Sequence, residues 1–247
     1  MQNFKQTNLD SNILKAIAEM GFETPTPIQA KTIPHLMTSD KDLIATAQTG
    51  TGKTAAFGLP AIHLTDLKYN DTQTLVLCPT RELCIQIAKD IAKYSKYLNG
   101  INILAVYGGS DIKTQIRSLN KGAHIVIGTP GRTKDLIKRK KLNISRIARI
   151  ILDEADEMLT MGFKEDLEMI LSHTPKEKQT LLFSATMSNK VVAITQSYMN
   201  DPMKIAAAQM NITAENVKHI YYMVNAKERY EVVKRIADIN PNIYGIV

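Results

Sequence analysis

The sequence has 247 residues, a net charge of +7 and a hydrophobic fraction of 44%. That length suits one large domain, or one domain followed by part of a second. The hydrophobic fraction is typical of globular proteins and argues against a disordered chain. No apolar run approaches the roughly 18 residues that a membrane-spanning helix needs, and the first residues lack the pattern of a secretory signal. We therefore expect a cytoplasmic protein in which Cys78 and Cys84 are buried or reduced thiols.

The positive charge is most concentrated in one stretch, KRKKLNISRIAR, at residues 138–149. A basic protein often binds a polyanion such as a nucleic acid. A run of charges is also typical of a solvent-exposed helix end and the loop after it. The sequence alone leaves both interpretations open.

Short apolar runs alternate with helical patterns along most of the chain. The runs that we predict as strands are DLIAT, QTLVLC, INILAVY, HIVIG, RIILD and QTLLFSA. They are almost continuously apolar, as in a parallel sheet whose two faces are both covered by helices. The alternation predicts an α/β fold with a doubly wound, mostly parallel sheet. Such sheets bind ligands beyond the carboxyl ends of their strands.

The alternation weakens after Met203. Residues 1–206 are predicted to form the first domain, and residues 207–216 a linker. A predicted strand (HIYYMV), a helix (KERYEVVKRIADI) and the start of another strand (NIYGIV) follow. Residues 217–247 are therefore predicted to be the truncated beginning of a second α/β domain.

A glycine-rich loop, AQTGTGKT, connects the first predicted strand to a helix. Its residues are Ala47, Gln48, Thr49, Gly50, Thr51, Gly52, Lys53 and Thr54. The last three form the diagnostic end of a P-loop, in which backbone N–H groups and a helix N-terminus bind phosphates. Lys53 is predicted to reach the β- and γ-phosphates of ATP, and the hydroxyl of Thr54 to bind Mg²⁺. The alternative is a glycine-rich turn whose threonine caps the helix.

Two acidic residues, Asp153 and Glu154, lie at the carboxyl end of a predicted buried strand. In P-loop proteins one carboxylate at such a place holds Mg²⁺, and a neighbouring group positions or deprotonates the attacking water. Asp153 is predicted for the first role and Glu154 for the second. An acid-rich helix N-terminus would also account for one or two such residues, because the helix dipole favours them there.

The segment GFETPTPIQ, at residues 21–29, has two interpretations. A glutamine amide offers a donor and an acceptor to an adenine edge, so Gln29 is a candidate to select the base while Phe22 packs on its face. Residues 26–29 also form a capping box, with a threonine N-cap, a proline at the first helical position and a glutamine at the third. Both interpretations hold together only if Gln29 divides its contacts.

These motifs and several others resemble those of the DEAD-box ATP-dependent RNA helicases, from about Phe4 to the end of the chain. GFETPTPIQ resembles the family's Q motif, with Phe4 as the isolated aromatic residue upstream of it, and AQTGTGKT resembles motif I, including its alanine. The other matching segments are PTREL (79–83) to motif Ia, the pair at 108–109 to the GG motif, TPGR (129–132) to motif Ib, DEAD (153–156) to motif II and SAT (184–186) to motif III.

The resemblance implies a RecA-like domain that binds ATP and Mg²⁺. Asp156 would bond to Ser184 and Thr186 and so link the nucleotide site to domain closure, while Phe22 and Gln29 would select adenine. The RNA backbone would be held by Pro79, Thr80, Arg81, Gly108, Gly109, Thr129, Pro130, Gly131 and Arg132.

The residues themselves give that RNA assignment a physical basis. Pro79 and Pro130 each lie between a strand and a helix, and helix N-termini present free N–H groups that suit phosphates. Arg81 and Arg132 would add charge, unless one of them forms an internal ion pair. Such contacts hold a backbone without reading bases. With no Trp in the chain and no aromatic platform in these loops, we expect sequence-independent binding, and the preference for RNA rests on the resemblance.

The implied function is RNA-stimulated ATP hydrolysis coupled to local duplex unwinding or to remodelling of RNA–protein complexes. The alternatives are an ATP-dependent RNA clamp with little turnover, and a DNA translocase of related fold; protein partners are not indicated. The family's second-domain arginines would follow NIYGIV, and an arginine finger is worth roughly 10³–10⁵ in rate. We therefore expect the 247 residues alone to bind adenine nucleotide weakly and to hydrolyse it barely.

Overall fold

The computed structural model describes residues 3–206 and 220–241 of the chain. The chain divides into two compact units, Met1–Gln209 and Met210–Val247, and each is described by itself. The strands of the first unit are β1 (Leu43–Thr46), β2 (Thr74–Leu77), β3 (Ile103–Val106), β4 (Ile125–Gly128), β5 (Arg149–Leu152), β6 (Gln179–Ser184) and β7 (Met203–Ala206). Its helices are α1 (Ser11–Glu19), α2 (Pro27–Thr38), α3 (Lys53–His63), α4 (Arg81–Tyr94), α5 (Ile112–Leu119), α6 (Pro130–Lys138), α7 (Ala155–Thr160), α8 (Lys164–Ser172) and α9 (Asn189–Tyr198), preceded by a 3₁₀ turn at Phe4–Thr7.

The strands form one sheet in the order β3-β4-β2-β5-β6-β1-β7, and every pairing is parallel. The predicted α/β fold with a doubly wound parallel sheet is confirmed, and all six predicted strands form with slightly shorter bounds. The sequence analysis missed β7. Only Ile205 of its four residues is buried, so this edge strand lacks the continuous apolar pattern of the others.

Helices cover both faces of the sheet. Successive strand residues point to opposite sides and therefore pack under different sets of helices. Val76 packs into the layer beneath α1–α4, whereas its neighbours Leu75 and Leu77 pack into the layer beneath α5–α9. Cys78 and Cys84 are buried in the first layer as free thiols, as predicted. No helix in the described residues is long and apolar enough to cross a membrane.

The parallel arrangement brings the loops of interest to one edge of the sheet. The glycine-rich loop follows β1, PTREL follows β2, the glycine pair follows β3, TPGR follows β4, DEAD follows β5 and SAT follows β6. Since all six strands point the same way, their carboxyl ends and these loops share that edge.

In the second unit, the described residues are 220–241. The predicted helix forms as a 3₁₀ turn at Ala226–Glu228 followed by α10 (Arg229–Ile239). The prediction of a strand at HIYYMV is wrong over residues 220–224, which form no strand. Tyr221 is 87% exposed and Met223 is 93% exposed. A strand needs a hydrogen-bonded neighbour, and none lies beside this segment among the described residues. The predicted linker and NIYGIV lie outside the described residues, so the domain boundaries stay a prediction.

The end of β4 generates a test of packing. A Cβ on Gly128 would lie 2.1 Å from Oγ1 of Thr133 and 2.9 Å from Cγ2 of Val106. Because this surrounding is tightly packed, we expect Gly128→Ala to lower the free energy of unfolding by about 1–3 kcal/mol. The control is Gly108→Ala, since a Cβ there would meet nothing within 4 Å. Urea unfolding of both variants checks this, and equal midpoints for the two would contradict it.

Candidate functional site

The loop between β1 and α3 is shaped by two glycines with positive φ, Gly50 at 82° and Gly52 at 91°. Gly52 is the N-cap of α3, so Lys53 and Thr54 begin the helix. A Cβ on Gly52 would lie 2.4 Å from Nε2 of Gln29 and 3.1 Å from Oγ1 of Thr26. Glycine is therefore needed at this position both for its backbone conformation and for the close approach of the residue 21–29 segment.

Lys53 joins this loop to the acidic pair after β5. Its side chain is 5% exposed, and its Nζ lies 2.7 Å from Oε1 of Glu154 and 3.7 Å from Oδ1 of Asp153. The hydroxyl of Thr49 donates a second hydrogen bond, of 3.1 Å, to the same Oε1. The structure thus brings together the lysine and both carboxylates that the sequence singled out. Thr54 is half-buried in the first turn of α3.

The charges of this cluster do not balance. Burial raises the pKa of Asp153 to about 6, and the neighbouring Glu154 acts in the same direction while the Lys53 ammonium opposes it. When both carboxyls are ionised, two buried negative charges face one ammonium. Mg²⁺ is commonly held by one or two carboxylates together with phosphate and water oxygens. The donor set of Asp153 and Thr54 fits that ion, although the described residues contain no cluster of three His, Cys, Asp or Glu.

The backbone at Glu154 is strained. Its φ of 53° and ψ of 50° lie in the left-handed region, which a residue with a side chain rarely adopts. Its N–H donates to Oδ1 of Asp153 over 3.1 Å, and the residue is 8% exposed. Strain of this kind is often retained at functional sites. Here it accompanies a carboxylate that lies against Lys53.

Gln29 divides its contacts between a helix cap and the glycine-rich loop. Its Oε1 accepts a hydrogen bond of 2.9 Å from the backbone N–H of Thr26, which is half of a capping box. Its Nε2 donates to the carbonyl oxygen of Gly52 over 3.0 Å. An amide group has two N–H donors and two oxygen lone pairs. One donor and one lone pair therefore remain for a ligand, so the two interpretations of the sequence are compatible.

The two aromatic residues of this region pack together. Phe22 is half-buried, and its ring centroid lies 6.0 Å from that of Phe4 and 6.0 Å from that of Tyr94. Phe4 is itself buried, at 4% exposure. The upstream aromatic residue, Phe4, therefore packs beside Phe22.

Asp156 links α7 to the segment after β6. Its Oδ2 accepts hydrogen bonds from the backbone N–H (2.9 Å) and the hydroxyl (2.8 Å) of Thr186. Burial acts to raise the pKa of Asp156, but the contacts from Thr186 and Ser184 outweigh burial and lower the pKa below its usual value. Ser184 is buried, and its hydroxyl donates to the carbonyl oxygen of Thr186. The three residues that the resemblance groups together are therefore adjacent.

The loops after β2, β3 and β4 form a second cluster. Thr80 caps α4 by accepting from the N–H of Leu83 over 3.2 Å, while Pro130 opens α6 after the N-cap Thr129. The guanidinium of Arg81 is exposed and lies over the Tyr107 ring, 5.0 Å from its centroid. The other candidates at these loops are Pro79, which is buried, Gly108 and Gly109, which are exposed, and Gly131, which is half-buried.

Arg132 connects these loops through hydrogen bonds to neighbouring residues. Its Nη1 donates to Oε1 of Gln115 over 2.9 Å, and its Nη2 donates to the carbonyl oxygen of Ser110 over 3.1 Å. Gln115 in turn donates to the carbonyl oxygen of Tyr107 over 3.1 Å. Neither Arg132 nor Arg81 forms an ion pair among the residues that the structure describes, so the alternative of an internal ion pair is not observed for either. Sequence reasoning missed the contacts of Arg132 with Gln115 and Ser110, since nothing in the pattern of α5 marks Gln115 as buried.

The pKa of Asp153 generates a pH-dependent prediction. Its folded-state pKa of about 6 lies above the ordinary value, so the folded state binds more protons between about pH 4 and 6 and loses stability as the pH rises through that range. We expect Asp153→Asn to be more stable than the parent at pH 7.5, by about 3 kcal/mol. The gain should become small near pH 4, where the carboxyl is neutral in the folded state and about half ionised in the unfolded state.

Denaturant unfolding from pH 4 to 8 measures this effect. Glu177→Gln is the control, because Glu177 is exposed and the substitution makes the same charge change. An Asp153→Asn variant that is no more stable than the parent at pH 7.5 would contradict the prediction, because the buried carboxylate would then cost no stability when it is ionised.

Three comparisons with known proteins agree with this geometry. A family model described as DEAD/DEAH box helicase matches residues 26–194. The chain is 49% identical over its full length to the ATP-dependent RNA helicase CshA of Listeria monocytogenes, and 45% identical to the DEAD-box ATP-dependent RNA helicase CshA of Geobacillus kaustophilus. It covers 47% and 52% of those proteins, so it spans about half the length of these relatives.

The structure is also similar to a crystal structure of a DEAD box protein from the hyperthermophile Methanococcus jannaschii. The TM-score is 0.81 and the sequence identity 43%, with 99% of this chain and 65% of the other covered. The family model alone matches more than half of the chain, over the segment that contains the glycine-rich loop, both acidic residues and Asp156 with its partners. The chain therefore belongs to the DEAD/DEAH box helicase family.

Proposed function

We propose that the protein acts as an ATP-dependent RNA helicase, in which RNA-stimulated ATP hydrolysis is coupled to local duplex unwinding or remodelling of RNA–protein complexes. The observation that carries the proposal is the 2.7 Å contact between Lys53 and Glu154, with Asp153 buried beside it. The names of the relatives support the proposal, since those proteins are described as ATP-dependent RNA helicases. Cytoplasmic location remains part of the proposal.

Binding of a nucleotide would give Lys53 a new partner. Lys53 now donates to Glu154, and a triphosphate seated on the N-terminus of α3 would offer the ammonium phosphate oxygens instead. Glu154 would then have Oε1 available to orient a water molecule and accept its proton. Asp153 and Thr54 would hold Mg²⁺, which when bound neutralises charge on the phosphates. Lys53, Asp153 and Glu154 are therefore the proposed catalytic group.

The loop itself would supply the remaining phosphate contacts. In the proposed complex, Ala47 and the residues up to Gly52 present backbone N–H groups, and the two positive-φ glycines let the chain turn closely around the phosphates. Gln48, Thr49 and Thr51 would contribute through the same backbone. The Thr49 hydroxyl, which donates to Glu154, would be released together with Lys53.

The RNA would lie across the loops after β2, β3 and β4. Helix N-termini at Arg81 and Pro130 present free N–H groups there, and the exposed guanidinium of Arg81 adds positive charge. Gly108 and Gly109 leave room for a close backbone approach, since a Cβ on Gly108 would meet nothing within 4 Å. These contacts go to the backbone of the nucleic acid, so we propose sequence-independent binding.

Base selection by Gln29 is testable by comparing two nucleotides. Gln29→Ala removes the remaining donor and lone pair, so we expect the variant to bind ATP and GTP about equally. A purely structural role would lower both affinities by the same factor and preserve their ratio, because the cap at Thr26 and the bond to Gly52 serve both nucleotides alike. Titration of fluorescent ATP and GTP analogues measures the ratio, and Thr38→Ala on the exposed end of α2 is the control.

RNA competition tests the function as a whole. We expect unlabelled single-stranded RNA to displace a labelled RNA from the chain far better than DNA of the same sequence at matched salt, since quoted affinities depend on salt. Equal competition would favour a DNA translocase.

In a chain that also carries a second domain, Glu154→Gln should retain ATP binding and abolish RNA-stimulated hydrolysis. An unaltered hydrolysis rate in Glu154→Gln would refute the catalytic role of Glu154, and RNA held for many minutes per ATP would indicate a clamp.

A further inference from the structure

The outer face of α5 carries a row of positive charges. Lys113 and Arg117 lie four residues apart in the helix, and Lys121 continues the same spacing in the turn that follows. Residues four apart lie on the same side of a helix, about 6 Å apart along its axis. All three side chains are exposed, and none of them forms an ion pair with a described carboxylate.

The carboxylate at the start of this helix, Asp111, already accepts hydrogen bonds from the first turn. Asp111 caps the N-terminus by accepting from the backbone N–H groups of Lys113 (3.0 Å) and Thr114 (3.1 Å) and from the Thr114 hydroxyl (2.7 Å). Hydrogen bonding from Thr114 is the main reason that the pKa of Asp111 is lowered, with a smaller contribution from Arg117. From Ile112 to Gly122 the sequence contains no acidic residue, so the row beyond the cap attracts anions.

The row is continuous with the loops proposed to hold RNA. The helix begins three residues after Gly109, and Gln115 in its middle donates to the carbonyl oxygen of Tyr107, which directly precedes the glycine pair. Arg132 ties the same helix to the loop after β4 through Gln115 and Ser110. A strand of RNA leaving those loops on this side would therefore meet a fixed surface.

We propose that an RNA strand extends from the loops after β2, β3 and β4 along the outer face of α5, where Lys113, Arg117 and Lys121 bind its phosphates. Contacts of this type add affinity without sequence preference and add steeply to its salt dependence. The inference rests on the proposed RNA binding by the loops and adds a further binding surface to it.

The chain offers a matched control. Lys138, Lys140 and Lys141 are equally exposed and equally without ion pairs among the described residues, but they lie at the opposite end of α6 from Pro130 and the RNA loops. The outer-face variant is Lys113→Gln, Arg117→Gln and Lys121→Gln together, and the control variant is Lys138→Gln, Lys140→Gln and Lys141→Gln together. Each variant removes three positive charges, so an effect of net charge alone would be the same in both.

The experiment measures binding of the chain to single-stranded RNA of increasing length over a series of salt concentrations. For the parent, affinity should rise as the RNA is lengthened beyond the shortest oligonucleotide that binds. For the outer-face variant we expect that gain to be lost, with affinity for the longer RNA lowered about tenfold or more at low salt. Its slope of log affinity against log salt should be shallower by about 2, from roughly 0.7 per phosphate contact. The control variant should keep the length-dependent gain.

Three outcomes would overturn the proposal that the outer face of α5 binds RNA. Equal losses in the outer-face and control variants would show a general charge effect, and equal losses for short and long RNA would show that the row does not hold an extension of the strand. Unchanged RNA binding in the outer-face variant would also overturn it and leave the row free for an acidic protein. Arg81→Gln separates this failure from failure of the proposed function, since it should weaken RNA of every length. If Arg81→Gln has no effect, or the chain binds no RNA, both proposals fall.

Discussion

The proposed nucleotide site depends on one interaction, the buried ion pair between Lys53 and Glu154. Lys53 lies 101 residues from Glu154 in the chain, and the two meet because β1 and β5 flank β6 in the sheet and their loops leave the same edge. A buried charge pair is costly to desolvate, and losing one partner leaves the other uncompensated. Lys53 compensates two carboxylates here, so the cluster holds itself together while remaining short of positive charge. In the proposed complex, a phosphate group that draws the lysine away would leave two buried carboxylates without a cation, and this is why we propose that the nucleotide binds as its Mg²⁺ complex.

A second constraint is the close packing of residues 21–29 against the glycine-rich loop. The amide of Gln29 lies where the side chain of any other residue at position 52 would have to be, and it binds the carbonyl oxygen of Gly52 directly. The loop proposed to surround the phosphates and the segment proposed to select the base are thus parts of one hydrogen-bonded unit. Because this hydrogen bond joins them, displacement of one segment would move the other, and the proposed base selection would be linked to the proposed phosphate binding.

Much of this arrangement could be predicted from the sequence, and the failures have physical reasons. The six inner strands are continuously apolar because both faces of the sheet are covered, so their positions and the edge that carries the loops followed from the pattern. The edge strand β7 was missed because a single buried residue, Ile205, leaves no periodicity to detect. Residues 220–224 are apolar but form no strand, because apolar composition alone supplies no hydrogen-bonded neighbour. At the site, Lys53, Asp153 and Glu154 could be singled out by type and position. The bracing role of Gln115 could not, since it depends on which polar side chain the fold happens to bury.

The order of the strands divides the site into two halves. The loops proposed to hold RNA follow β3, β4 and β2, which are contiguous, and the loops proposed to hold the nucleotide follow β5, β6 and β1, which are contiguous as well. Between the strands themselves, the halves are joined at one place, the pairing of β2 with β5. There the backbone N–H of Asp153 donates to the carbonyl oxygen of Leu77 over 2.9 Å, one residue before Cys78 and the PTREL segment. A change in the position of Asp153 on nucleotide binding would therefore act directly on β2, the strand that leads to Arg81 at the start of α4. The two halves could therefore communicate over a short path, because Asp153 in the proposed nucleotide half is hydrogen-bonded to β2 in the proposed RNA half.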